Sequence, residues 1–181
     1  MSGIIKATNL EVTTIKDKTN TNTAMTIDSS GRVAIPKVPA FKCRGFGSLQ
    51  DGATVNGISI QSGTDIIYNW DVVDINRDNA FNNSTGIYTV PVAGLYFVSA
   101  GHGYKSSTNY LAFHLFLTSS DSAANGNISV WTENTNQSAG RHLGTIVEAS
   151  VGQQFALGMS DQYSTPSTTT HYSWFSGYMV G

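Results

Sequence analysis

Along most of this chain apolar and polar side chains alternate with a period of two, the pattern of strands that turn one face to a core and the other to water. The clearest stretch is Phe81 to Val98, FNNSTGIYTVPVAGLYFV, where Tyr88, Val90 and Val92, then Tyr96 and Val98, recur on either side of Pro91. Asn82, Asn83, Ser84 and Gly86 supply a turn ahead of the first run, and Gly94 punctuates the second. Proline has no amide donor, so Pro91 belongs at a strand edge or corner. The stretch therefore predicts two half-buried strands joined by a tight corner. The same grammar predicts strands at Ala40 to Phe46, Tyr110 to Leu117, Asn127 to Thr132, Gly140 to Glu148, Gln153 to Met159 and Tyr172 to Val180. Ile66 to Ile75 is apolar and aromatic, carrying Tyr68 and Trp70, while Asp51 to Gly63 reads as a polar connection with turn glycines. No window sustains apolar residues at i, i+3, i+4 and i+7, and glycine interrupts every candidate helix. The expected class is all-β, a two-sheet antiparallel sandwich.

Residues 1–38 read as a separate arm. Leu10, Val12 and Ile15 scatter among Thr and Lys, a polar T-N-T-N-T tract follows, and Ala24 to Ile27 then faces Arg32 to Ile35 across Asp28-Ser29-Ser30-Gly31. That last piece is a hairpin signal. An isolated hairpin has no second layer for its apolar face, so Met25, Ile27, Val33 and Ile35 are expected to be completed by copies of themselves or by another protein. Pro36 and Pro39 bracket a stiff hinge, after which residues 39–181 form the head.

Some head strands carry large apolar groups on both faces. Leu95 and Phe97 oppose Tyr96 and Val98, and Trp174 and Tyr178 oppose Phe175 and Met179. A sheet facing water on one side needs only one apolar face. Burying an aromatic of ~150 to 250 Å² at about 25 cal/mol per Å² is worth several kcal/mol before ordering costs, so these second faces point to a partner. In Tyr110 to Leu117, Leu111, Phe113, Leu115 and Leu117 fit a core face and leave Ala112, His114 and Phe116 opposite.

The stretch Thr85, Gly86, Tyr88, Thr89, Pro91, Gly94, Tyr96 resembles the signature of the globular head of the complement first component, T-G-x-[FY]-T-x-P-x-x-G-x-Y-x-F, with Val98 where an aromatic is usual. Trp174-Phe175-Ser176-Gly177-Tyr178-Met179-Val180 is similar to that family's closing strand. The resemblance covers roughly Pro39 to Gly181 and implies a jelly roll of the tumour-necrosis-factor-like kind, in which the outer face of the inner sheet is a three-fold interface. It places Tyr96 in the core, hence Leu95 and Phe97 in the interface; for the last strand Phe175 and Met179 are favoured, although sequence does not fix that parity. It puts Tyr110 to Leu117 in the outer sheet, where His114 and Phe116 become candidates for contact with a neighbouring virion protein. If the first and last strands pair antiparallel, the arm and the C-terminus share one end. Loops 104–109, 133–139 and 160–171 share the other, with Tyr104, Tyr163 and His171 as a candidate receptor tip. The arm resembles repeated segments of phage tail fibres, a strand, a D-x-x-G turn, a strand and I-P preceding a complement-type head.

Composition narrows the function. Charged residues make up 12% of 181, net charge is −2 and no Lys/Arg cluster occurs, so nothing matches a phosphate backbone and nucleic-acid binding is not expected. The opening MSGIIKATNLEVTTIKDK does not read as a signal peptide, and Tyr110 to Leu117, the densest apolar run, falls well short of the ~20 residues of a spanning helix. A single Cys43 excludes an internal disulfide and fits synthesis in a reducing cytoplasm. His102, His114, His142 and His171 lie far apart in sequence, so no local metal pair exists; there is no G-x-S-x-G elbow, phosphate loop or EF-hand spacing. No catalytic residue, cofactor or metal is expected. These features lead to a non-enzymatic phage virion protein made in the host cytoplasm: a homotrimeric tail fibre or appendage, joined through residues 2–35 to another virion protein, with a head offered to a host-surface glycan or protein. A capsid decoration trimer anchored by the arm is the first alternative and a lectin-like module the second.

Overall fold

The computed structural model describes residues 14–16, 23–35, 38–45, 47–105, 111–118, 128–132, 138–161 and 173–180. The chain separates into two compact units, Met1–Val38 and Pro39–Gly181.

The first unit holds a three-stranded antiparallel sheet, β1 (Thr14–Lys16), β2 (Thr23–Ile27) and β3 (Val33–Ala34), in that order. The expected hairpin is present, with Thr26 opposite Ala34 and Ile27 opposite Val33, and β1 adds a strand not foreseen as one. Its turn is built on Asp28. One carboxylate oxygen accepts the Ser30 and Arg32 amides at 2.9 and 3.0 Å, the other takes Arg32 Nε at 2.7 Å, and Gly31 supplies a φ of 76°.

In the second unit, β4 (Ala40–Arg44), β9 (Val72–Asn76), β12 (Gly94–Lys105), β15 (Ser138–Ala149) and β17 (Trp174–Met179) make a five-stranded sheet in the order β15-β12-β17-β4-β9. Facing it, β10 (Phe81–Asn82), β11 (Ile87–Thr89), β16 (Gln154–Asp161), β13 (Leu111–Phe116) and β14 (Ile128–Thr132) run in that order, with β8 (Thr64–Tyr68) also on β16 and β5 (Ser48–Gln50) on β8. A small hairpin, β6 (Thr54–Val55) and β7 (Ile58–Ser59), completes the unit. This is the expected all-β antiparallel sandwich.

Alternation explains the core. Tyr96, Val98 and Ala100 of β12 point inward with Phe41, Cys43, Tyr88, Phe113, Leu115, Phe155, Leu157 and Phe175, all buried. Phe41 is the hub, its ring 4.3 Å from Tyr88, 4.7 Å from Phe175 and 5.5 Å from Phe81. The corner at Pro91 carries the chain from one sheet to the other, and the Tyr96 hydroxyl closes it by donating to the Val92 carbonyl at 2.6 Å. Ahead of it, Asn82 caps the turn through the Ser84 amide at 3.0 Å, while the Asn83 carboxamide clips the Trp70 backbone N–H and C=O at 2.8 and 3.1 Å. Gly86, at φ 70°, abuts the Ile67 carbonyl so closely that a Cβ would collide with it.

Two sequence assignments change. Ile66 to Ile75 is not one element: β8 and β9 lie in opposite sheets, and the chain switches at Asn69, whose φ is 51°. The segment 51–63 is more than a polar connection. Ala53, Val55 and Ile60 are buried against Ile66, Phe116 and Ala156 on the outer face of the seven-stranded sheet, forming a second hydrophobic cluster.

Candidate functional site

With both sheets' inner faces spent on the main core, the outer faces are what the head has left to use. On the five-stranded sheet, register sets the outward residues in rows. Phe97 lies between Ile146 and Tyr178, Ser99 between Gly144 and Ser176, and Gly101 between His142 and Trp174. Ile146 is 62% exposed, Tyr178 48% and Leu95 46%. The Phe97 ring leans across Gly144 and sits 5.7 Å from that of Tyr178. Small residues separate this apolar row from Trp174, whose indole lies over Gly101, and Ser99 and Ser176 share a hydroxyl contact of 3.3 Å. Toward β9 the face turns ionic: Arg44 Nε meets both Asp74 oxygens at 3.1 Å, with Lys42 Nζ at 4.0 Å. The result is an apolar stripe with a shallow trough of small residues beside it and charges at one margin. That chemistry suits burial against protein.

The residues read from sequence as this surface divide. Leu95 and Phe97 face outward as expected. Phe175 and Met179 do not: Phe175 is fully buried and Met179 is half-buried against the main core. Parity is set by Gly177, where the Phe41 ring occupies the space a side chain would need, so the inward set of β17 is Phe175, Gly177 and Met179. The outward set is Trp174, Ser176 and Tyr178. Ile146 also escaped the sequence reading. Its period-two offset from the inward Leu143 and Val147 carries the signal, but only the pairing of β15 with β12 shows that it neighbours Phe97.

His114 and Phe116 are corrected too. Both are buried, so neither is offered to a neighbouring protein. Phe116 lies under the 51–63 segment and over Gly158, and His114 Nδ1 makes a 2.7 Å hydrogen bond with Ser129 Oγ. In the first unit Val33 and Ile35 are exposed and Met25 and Ile27 half-buried.

For the receptor tip, Leu111, Thr132 and Asp161 meet at one end of their sheet, and Lys105 meets Ser138 at the corresponding end of the other. The β12–β13, β14–β15 and β16–β17 connections that begin at these strand ends hold the candidate tip loops, which lie largely outside the described residues. Pro39, Leu95 and Val180 gather at the opposite end, with the Met179 amide on the Pro39 carbonyl and the Val180 amide on that of Leu95. Tyr104 lies in β12 opposite Ala139, whereas Tyr163 and His171 fall outside the described residues.

Burial shifts several of the head's described titratable groups. Burial pushes the Cys43 thiol far up, and it donates weakly to the Phe175 carbonyl at 3.4 Å. Burial likewise raises the Tyr88 phenol. Burial, then the Asp51 charge, raises the Asp65 carboxyl. Among the described residues no group of three or more His, Cys, Asp or Glu is placed to hold a metal ion.

Two facing antiparallel sheets with the chain's first and last head strands side by side, and a signature corner between them, define a jelly-roll domain of the complement and tumour-necrosis-factor kind. The family model for the C1q domain matches residues 54–180, and the chain belongs to that family. Among solved structures it is similar to murine APRIL at pH 8.0, with a TM-score of 0.57 at 9% identity over 80% of this chain and 100% of that one. It is also similar to the globular domain of zebrafish complement 1qA, with a TM-score of 0.56 at 17% identity over 80% of this chain and 98% of that one. These likenesses concern the fold. A sequence comparison with curated proteins finds no match.

Proposed function

We propose that this protein is a homotrimeric structural and binding protein of a tailed-phage virion, a tail fibre or appendage. Its heads associate through the outer face of the five-stranded sheet, and residues 2–35 join it to another virion protein. The observation that carries the reading is the uncovered apolar stripe of Leu95, Phe97, Ile146 and Tyr178 on one sheet. C1q and tumour-necrosis-factor-like domains are typically trimers able to bind other molecules, and the C1q family is generally non-enzymatic. The phage assignment rests on the arm, whose hairpin turns on Asp28 to Gly31 and runs into Ile35-Pro36. It is helped by Val92, Val151 and Val180, exposed apolar residues at the end where the chain enters the head. The far end of the head is left for a host glycan or protein.

Light scattering on the purified chain tests the assembly. Three times the 19.3 kDa chain mass is expected, and a monomer at micromolar concentration sinks the trimer. Imaging of particles with labelled protein tests the location. Density on the tail supports the fibre, density on the shell makes it a capsid decoration trimer, and no density overturns the virion role.

A further inference from the structure

The arm sheet has a chemical asymmetry that its own unit does not resolve. Ile15 pairs with Met25, and Ile27 pairs with Val33. Side chains two apart on a strand share a face, so Ile15, Met25, Ile27, Val33 and Ile35 all lie on one side of the sheet. Thr14 and Thr26 take the other side. The apolar side is poorly covered: Ile15 is 42% exposed, Ile35 55% and Val33 58%. Strands as short as Thr14–Lys16 and Val33–Ala34 cannot curl into a closed core, so a sheet apolar on one side and polar on the other requires a second layer.

We infer that the second layer is the same face of the two sibling arms, so that three arms close on one another into a β-walled stem with Ile15, Met25, Ile27, Val33 and Ile35 at its centre. The inference rests on the trimer proposed above and deepens it. In a trimer of heads the three chains enter at equivalent positions, at Pro39 beside Met179. From there the segment back to Ile35 extends no more than about 14 Å. Tethers that short hold the arms at an effective concentration on the order of millimolar, so even a weak apolar contact between siblings is favoured over one with a freely diffusing protein. Charge does not oppose it. Within each turn Arg32 is already paired with Asp28 at 2.7 Å. Sibling closure leaves the polar face, with Thr14 and Thr26, turned outward as the surface that meets the anchoring virion protein.

The test uses the full chain with a single new thiol, Cys43 being buried and left in place. Val33→Cys is compared with Ser30→Cys, which lies on the exposed turn. A trifunctional maleimide is added at low protein concentration. A covalent trimer is expected with Val33→Cys in a yield independent of dilution, with at least tenfold less from Ser30→Cys. If scattering shows a trimer but Val33→Cys reacts like Ser30→Cys, the arms stand apart and the inference fails while the trimer stands. A monomer removes the trimer and the inference with it. As a second readout, Val33→Asp with Ile35→Asp is expected to speed amide exchange at Thr26 and Ile27 at least tenfold while the mass stays that of a trimer; unchanged exchange overturns the stem.

Discussion

The two sheets of the head carry apolar outer faces and treat them in opposite ways. On the seven-stranded sheet, Ile66, Phe116 and Ala156 are roofed by Ala53, Val55 and Ile60, so residues 51–63 act as a lid supplied by the chain itself. On the five-stranded sheet, Leu95, Ile146 and Tyr178 remain open, and among the described residues nothing roofs them. Leaving a stripe of aliphatic and aromatic groups wet forgoes burial worth about 25 cal/mol per Å². Under the proposed trimer, a chain that roofs one face and leaves the other bare separates the residues it needs to fold from those that would meet another copy. Substitutions under the roof should therefore cost stability, and substitutions on the bare face should cost assembly.

The largest effect is expected under the roof. Phe116→Ala empties a fully buried site and should destabilise the head by about 3–5 kcal/mol. Denaturant melts of the head would show it; a loss below about 1 kcal/mol would mean the roof is not packed on the sheet. On the bare face the balance reverses. Ile146→Asp alters an exposed side chain and should change the stability of the separate subunit by no more than about 0.5 kcal/mol. In the assembly it would place a charge beside Phe97, at a cost of about 2 kcal/mol or more per interface, and the scattering mass should fall toward one chain. A trimer of unchanged stability in that variant would refute the division between the faces.

What could be read from sequence follows the same line. Alternation, the turn at Asn82 to Gly86 and the corner at Pro91 are local, and they were legible, as was the outward parity of Leu95 and Phe97. The orientation of the last strand was not. Its two faces are chemically alike in sequence, and the deciding fact is the Phe41 ring, contributed from far upstream, filling the space at Gly177. The roof was hidden for a different reason. Ala53, Val55 and Ile60 are small or moderate apolar residues in runs too short to register as strands, so the segment reads as polar until Phe116 is seen beneath it. That blindness turned His114 and Phe116 into surface candidates. The partners of Phe97 depend on strand pairing, which periodicity does not encode.

The fastening of the roof gives a smaller effect. Asn56, at φ 52°, gives its backbone N–H to Gln154 Oε1 at 2.8 Å. Its carboxamide accepts the Gln154 N–H at 2.6 Å and donates to the Gln154 carbonyl at 2.8 Å, making the bonds that a neighbouring strand residue would supply. Asn56→Gly keeps the left-handed backbone and deletes only the carboxamide, leaving a part-buried N–H without its partner. A loss of about 1–3 kcal/mol is expected, concentrated in the roof. Amide exchange at Ile60, whose N–H is bonded to the Ala53 carbonyl, should quicken before exchange in β12 does. Equal acceleration everywhere would show that the roof and the core open together.

The smallest effect lies in the arm's turn. The Arg32 backbone N–H first, and its guanidinium second, hold the Asp28 carboxyl below the ordinary carboxylate range. A lowered folded pKa means that the ionised turn contributes stability above the unfolded aspartate value and loses it as pH falls through the folded one. Asp28 lies on an exposed turn open to solvent screening, so the contribution is small and should shrink further with salt. The Ser30 and Arg32 amide resonances, both reporting on the same carboxylate oxygen, should titrate together below the usual aspartate midpoint. In Asp28→Asn both should be flat across that range. A midpoint at or above the ordinary aspartate value would show that the Arg32 contacts do not hold the turn in solution.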